Sequence, residues 1–120
     1  MPYRPLRALL ICVLAAAALP AHHSVTMYDL DNMVTIKGAV TKVEWTNPHV
    51  FVYFKVDDAE WAMELDPPVL LRRYGWLKST VKEGDAITVT GGPAKSGAKV
   101  MRGAIVVLAD GTQLRVWSRV

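Results

Sequence analysis

The stretch MVTIKGAVTKVEW, residues 33–45, narrows the folds open to this chain more than any other. Val34, Ile36, Gly38 and Val40 alternate on one face, and then Val43 and Trp45 take over in the opposite phase. A one-residue phase switch inside a long strand marks a bulge, and Gly38 tolerates strong local bending. The spacing therefore predicts a long, coiled strand.

Shorter strands follow it. HVFVYFKV, 49–56, alternates Val50, Val52, Phe54 and Val56 against Phe51, Tyr53 and Lys55. After a turn at DDAE, the segment EWAMEL, 60–65, sets Trp61, Met63 and Leu65 on one face. The pattern changes at DPPVLLRRYGW, 66–76, where Asp66 suits a cap, Pro67 a first helical position and Gly75 a C-terminal stop. One short helix is expected there. KEGDAITVTG, 82–91, reads as a turn and a strand, and residues 98–117 read as a hairpin around Asp110-Gly111.

The order is three strands, a helix, then three strands. Five or six curved strands of this size cannot bury both faces as a flat sheet. Closing into a barrel, with the helix over one end, buries the interior and removes exposed edges. The expected fold is thus mainly β: a small OB-fold-like five- to six-stranded barrel with one short helix between strands three and four. A two-sheet sandwich is the alternative.

The N-terminus has a different composition. Arg4 and Arg7 precede the apolar run Ala8–Ala18, and Pro20-Ala21 then supply a helix breaker and a small residue. This is the layout of a secretory signal peptide, with cleavage expected at Ala21–His22 and Ala18–Leu19 as the second choice. The run is too short for the roughly 20 residues that span a bilayer, so no stable membrane anchor is expected after cleavage. Ile11 is too large for the residue that precedes a lipid-attachment cysteine. The expected organisation is a signal peptide over 1–21, an N-terminal arm over 22–32 and the barrel over 33–120. The arm, HHSVTMYDLDN, follows neither period and is expected to be extended.

Removal of the signal takes away Cys12, the single cysteine, so the domain must hold together by its core alone. Loss of Arg4 and Arg7 leaves 12 lysines and arginines against 11 aspartates and glutamates. A near-neutral chain gives no ground for a nucleic-acid partner or an anionic surface.

The chain holds three histidines, His22, His23 and His49. After cleavage His22 is the N-terminal residue, and its α-amine and imidazole can chelate one metal ion, with a further imidazole completing a nitrogen site. Such donors favour Cu(II) and Ni(II), and the α-amine, with a pKa near ~8, yields its proton to a competing metal. Cleavage one residue earlier would place His23 third, another copper-chelating arrangement. His49 follows the turn signal Asn47-Pro48, at the rim where strand one passes into strand two, a ligand-facing loop in barrels of this plan. At ~3.3 Å per extended residue the arm is long enough to bring His22 or His23 to His49. The alternatives are that the pair merely keeps the signal junction exposed and that His49 holds its turn.

Other residues are expected to pack or to face solvent. Trp45 and Trp61 are in phase with the core, and Trp76 is placed to close the barrel beneath the helix. Met27, Met33, Met63 and Met101 are too scattered for a soft copper site and are expected to pack. Arg72 and Arg73 read as a solvated face, and strand alternation exposes most of Glu44, Glu60 and Glu64. No nucleophile elbow, phosphate loop or zinc-protease helix occurs, so no catalytic activity is expected.

Taken together, AHHS, VTIKGAVTKVEWTNPHV, WAMEL, LLRRYGW and KEGDAITVTG resemble the DUF6152 family of small exported bacterial proteins of unknown function. The resemblance covers essentially the whole mature chain. It rests on His22, His23, Trp45, Asn47, Pro48, His49, Gly75 and Trp76, and departs at Val25, where family members often carry an aromatic residue. Export from a bacterial cell implies a periplasmic location. The expectation is a non-catalytic periplasmic protein that binds a metal ion, copper being the candidate, through His22, His23 and His49. The alternative is a module that binds a small solute, glycan or protein partner with an exposed face containing Tyr53, Arg72 or Trp76, its histidines being structural.

Overall fold

The computed structural model describes residues 23–120, with side chains from residue 25 onward. The predicted signal peptide and His22 lie outside the described residues. The elements are α1 (His23–Thr26), β1 (Val34–Glu44), β2 (Phe51–Val56), β3 (Ala59–Glu64), α2 (Pro68–Arg73), β4 (Ala86–Pro93), β5 (Val100–Leu108) and β6 (Gln113–Arg115). The strands pair in the order β3-β2-β1-β4-β5-β6, and a parallel pairing of β3 with β5 closes the first five into a barrel. That closure, with α2 between β3 and β4, is the expected OB-like plan and rules out the two-sheet sandwich.

β1 is shared between the two halves of the barrel. Its first part, Val34–Ala39, pairs with β4, and its second part, Ala39–Glu44, pairs with β2. The register slips between Val40 and Lys42, where the hydrophobic phase switches. Gly38 sits just before this bulge, and a Cβ there would collide with the Lys55 carbonyl oxygen and the Phe54 ring. Bending thus brings two backbones closer than any side chain permits.

Alternating residues from every barrel strand meet inside: Val40, Val52, Phe54, Met63, Val89, Met101 and Val106 are all buried. α2 starts on the Pro67-Pro68 pair and stops at Gly75, whose φ of 93° only glycine adopts readily. Its apolar side delivers Leu71, and the following turn delivers Trp76, both buried in the barrel end. Burying one such leucine contributes about 1.5–3 kcal/mol. The Trp76 indole N–H donates to the Arg115 carbonyl at 3.1 Å, so the plug carries no orphaned polar atom.

Two local expectations are corrected. Asp66 does not cap α2: Pro67 holds the N-cap position with no side-chain hydrogen bond, and Asp66 is engaged elsewhere. The arm is also not simply extended. It opens with the turn of α1, and Tyr28 then bridges Ala94 just beyond β4. The Asp29 amide donates to the Pro93 carbonyl at 2.8 Å, and the Lys95 amide donates to the Met27 carbonyl at 2.9 Å. Gly92 makes this approach possible, since a Cβ there would stand 2.8 Å from the Asp29 carbonyl oxygen.

Candidate functional site

Alternation along β3 points Trp61, Met63 and Leu65 into the barrel and Glu60, Ala62, Glu64 and Asp66 away from it. Glu64 and Asp66 should therefore face solvent, yet each is 4% exposed. The expectation that Glu64 lies exposed is thus corrected. The physical reason is that the N-terminal arm around Tyr28 and the C-terminal segment fold over this part of the outer surface. The arm contributes Tyr28, and the C-terminal segment contributes Val116, Trp117 and Ser118.

Glu64 lies opposite Phe51 in the β2–β3 ladder, and His49 shares that face two residues earlier. The Leu65 amide donates to the Val50 carbonyl at 2.8 Å, which extends the pairing beyond the strand ends and fixes His49 beside the carboxylate. The chain bends at Asn47 and Pro48, which are joined by a cis peptide, before it reaches His49. His49 Nδ1 lies 2.7 Å from Glu64 Oε1, and the Tyr28 hydroxyl donates to Glu64 Oε2 at 2.7 Å. One buried carboxylate thus holds a strand-loop histidine and an arm tyrosine, one on each oxygen. In a neutral imidazole, a proton on Nδ1 towards the carboxylate would leave the lone pair on Nε2. Nε2 has no hydrogen-bond partner among the described residues, and the side chain is 25% exposed. Burial raises the Tyr28 phenol well above its ordinary pKa, and its bond to the Glu64 carboxylate raises it further.

A second polar group stands beside the first. Arg102 faces Glu64 in the parallel β3–β5 register and is also 4% exposed. Its Nη2 donates to Asp66 Oδ1, while Asp66 Oδ2 accepts from the Tyr74 hydroxyl at 3.0 Å and the Ser118 amide at 2.9 Å. Trp117 spreads over the guanidinium, its ring centroid 5.2 Å from Cζ. These contacts compensate a buried charge pair that would otherwise carry a heavy desolvation cost. Arg102 Nη1 is buried with no hydrogen-bond partner among the described residues.

Of the three predicted metal ligands, His49 is the one whose side chain is described. His22 and the side chain of His23 lie outside the described residues, although the His23 backbone begins α1, five residues before Tyr28. Among the described residues no three histidine, cysteine or acidic side chains are grouped to hold a metal ion.

The remaining sequence candidates separate clearly. Trp45 and Trp61 pack against the core, partly buried, and Trp61 stacks on Phe54 with centroids 6.5 Å apart. Trp76 is buried and cannot belong to an exposed binding face. Met63 and Met101 pack as expected, but Met27 and Met33 do not, at 44% and 37% exposed. Glu44 pairs with Lys42 at 2.6 Å and accepts from Tyr53, and these partners lower its pKa. Arg72 is exposed, with its guanidinium 6.0 Å from the Trp45 ring.

Residues 9–103 match the model of a family described as a family of unknown function, DUF6152. The chain belongs to DUF6152. No curated protein matches it. The match takes in the strand-loop histidine and both acidic residues of this DUF6152 protein, together with Tyr28 and Arg102. Sequence reasoning did not single out Tyr28 or Arg102, counted Glu64 among three glutamates mostly exposed by alternation, and gave Asp66 a capping role. Their types and spacing resemble ordinary surface residues, and contacts 36 positions apart along the chain are what bury them.

Proposed function

We propose that this DUF6152 protein is an exported, periplasmic, non-catalytic binder of a transition-metal ion, with copper the favoured ion. The ligands are the α-amine and imidazole of a mature N-terminal His22, together with His23 and His49. The supporting observation is the His49–Glu64 pair. Histidines that ligate metals commonly donate their other ring N–H to a carboxylate, which fixes the tautomer and raises the basicity of the ligating nitrogen. Here Glu64 Oε1 lies 2.7 Å from Nδ1, and among the described residues Nε2 is left for a metal ion on a partly exposed side chain. An amine and imidazoles form a nitrogen-rich set, and Cu(II) heads the divalent series for such sites.

The test is titration of the processed, exported protein with Cu(II), with His49→Ala beside it and electron paramagnetic resonance to count coordinated nitrogens. Mass spectrometry of the same sample reads the mature N-terminus. Tight one-to-one binding that loses a nitrogen and weakens in His49→Ala supports the reading. Weak binding that is the same in both proteins overturns it and favours a solute or protein ligand.

A further inference from the structure

We propose that the barrel end covered by α2 is a docking surface for an anionic phospholipid bilayer, engaged peripherally and reversibly. The proposal does not depend on the metal reading. Residues 23–120 hold 12 lysines and arginines against 11 aspartates and glutamates, but the two signs are not evenly mixed. The segments 67–81 and 112–120 carry Arg72, Arg73, Lys78, Arg115 and Arg119 and no aspartate or glutamate. All five of these cations are exposed. Asp57, Asp58 and Glu60, also exposed, gather around the β2–β3 turn, at the opposite end of β3 from α2. A net charge near zero therefore understates the field at the α2 end.

The two basic segments form one surface. The Arg115 guanidinium lies 4.5 Å from the centroid of the Tyr74 ring, and the Trp76 indole N–H donates to the Arg115 carbonyl at 3.1 Å. Arg115 in turn donates to the Val120 carbonyl at 3.1 Å. On α2 the buried residues are Pro68 and Leu71, and Val69 shares the outer side with Arg72 and Arg73, three and four positions on. Among the described residues Arg72, Arg73, Lys78 and Arg119 have no carboxylate partner. Arg72 and Arg119 instead lie over the rings of Trp45 and Trp117. The carboxylates close by are already engaged: Asp66 with Arg102, Glu64 with His49 and Tyr28, Glu44 with Lys42. Further along the chain, Asp85 pairs with Lys82 at 3.5 Å.

Charge alone would suit any polyanion. The aliphatic side chains on the same surface favour a bilayer. Val69, Leu77 and Val120 are 56%, 64% and 44% exposed, although the interior beneath them is well filled. A soluble polyanion gives such side chains nothing to enter. A membrane interface takes up aliphatic tips among the headgroups while guanidinium groups pair with phosphate, and the two contributions add. Docking of this kind adds no spanning segment.

The test is co-sedimentation of the processed protein with vesicles of equimolar phosphatidylcholine and phosphatidylglycerol, and with vesicles of phosphatidylcholine alone. The variants are Arg72→Gln with Arg73→Gln, Leu77→Ser, and Lys37→Gln as a charge-matched change outside this surface. Near-ultraviolet circular dichroism confirms that each is folded. An environment-sensitive dye is attached in turn to Leu77→Cys and to Asp58→Cys, at opposite ends of the barrel.

Binding should require phosphatidylglycerol and fall as salt rises from about 0.1 M to about 0.5 M. The double arginine variant should bind about 30-fold more weakly, roughly fivefold for each cation removed. Leu77→Ser should weaken binding several-fold, and Lys37→Gln should bind as the wild type does. The dye at Leu77→Cys should shift to the blue on vesicles and the dye at Asp58→Cys should not. Absence of binding to the anionic vesicles overturns the proposal, as does binding that the double arginine variant leaves unchanged. Retention on heparin, lost in that variant, without vesicle binding would assign the surface to a soluble polyanion and overturn the bilayer.

Discussion

Glu64 and Asp66, two residues apart and each 4% exposed, fasten the N-terminal arm and the C-terminal segment to the same patch of the barrel. Glu64 accepts from Tyr28 in the N-terminal arm at 2.7 Å, and Asp66 accepts from the Ser118 amide near the C-terminus at 2.9 Å. The Asp66 amide adds a bond to the Val116 carbonyl at 3.0 Å. A barrel of this size, expected to lack disulfides, is thus closed on its outside by buried carboxylates as well as filled by apolar side chains within.

The pair of Asp66 and Arg102 should be costly to break from one side. Asp66→Ala leaves a buried guanidinium without its partner and should cost about 3–5 kcal/mol. The double replacement Asp66→Leu with Arg102→Met should cost less than the two single changes added together, because no charge is then left alone. Urea unfolding of the four proteins checks this. Additive losses would mean that the pair is not coupled.

Tyr28 gives a signed pH dependence. Its pKa is raised in the folded protein above the ordinary 10.0, so the native state holds this proton more tightly than the unfolded chain does. Above about pH 10 the unfolded state therefore binds fewer protons, and stability falls as pH rises. The contribution is fully present below the unfolded-state pKa and is lost as pH climbs through the folded-state value. In metal-free protein, the stability difference between wild type and Tyr28→Phe should be constant from pH 7 to 9 and narrow at higher pH. A difference that does not change up to pH 11 would contradict this account of the phenol.

Gly38 should not accept a side chain. Gly38→Ala places a methyl against the Lys55 backbone, which cannot move aside as a flexible side chain could. A loss of about 1–3 kcal/mol is expected, in the range of overpacked cores. Thermal unfolding measures it, and an unchanged midpoint would show that the bulge relaxes freely.

Much of the barrel was legible because strand alternation is a local signal. The slip between Val40 and Lys42 was announced by the phase change from Val40 to Val43, and the end of α2 by Gly75. Trp76 closes the barrel end as its place after the helix suggests. The polar site was only half legible. His49 stood out by type and by its turn, but the same alternation that placed Met63 and Leu65 correctly assigned Glu64 to solvent. What buries Glu64 is Tyr28, 36 residues upstream, and no local periodicity records such a contact. Asp66 failed differently. Its cap chemistry was reasonable beside Pro67, but the distant Arg102 is a stronger partner for a carboxylate than a helix amide.

The measurement that bears most directly on the metal reading is Cu(II) calorimetry on two forms of the protein, one starting at His22 and one carrying a single extra glycine before it. The proposed site needs the free amine of His22, so tight one-to-one binding by the first form and a marked loss in the second is the expected result. Equal and weak binding by both would contradict the account and leave His49 as a structural partner of Glu64.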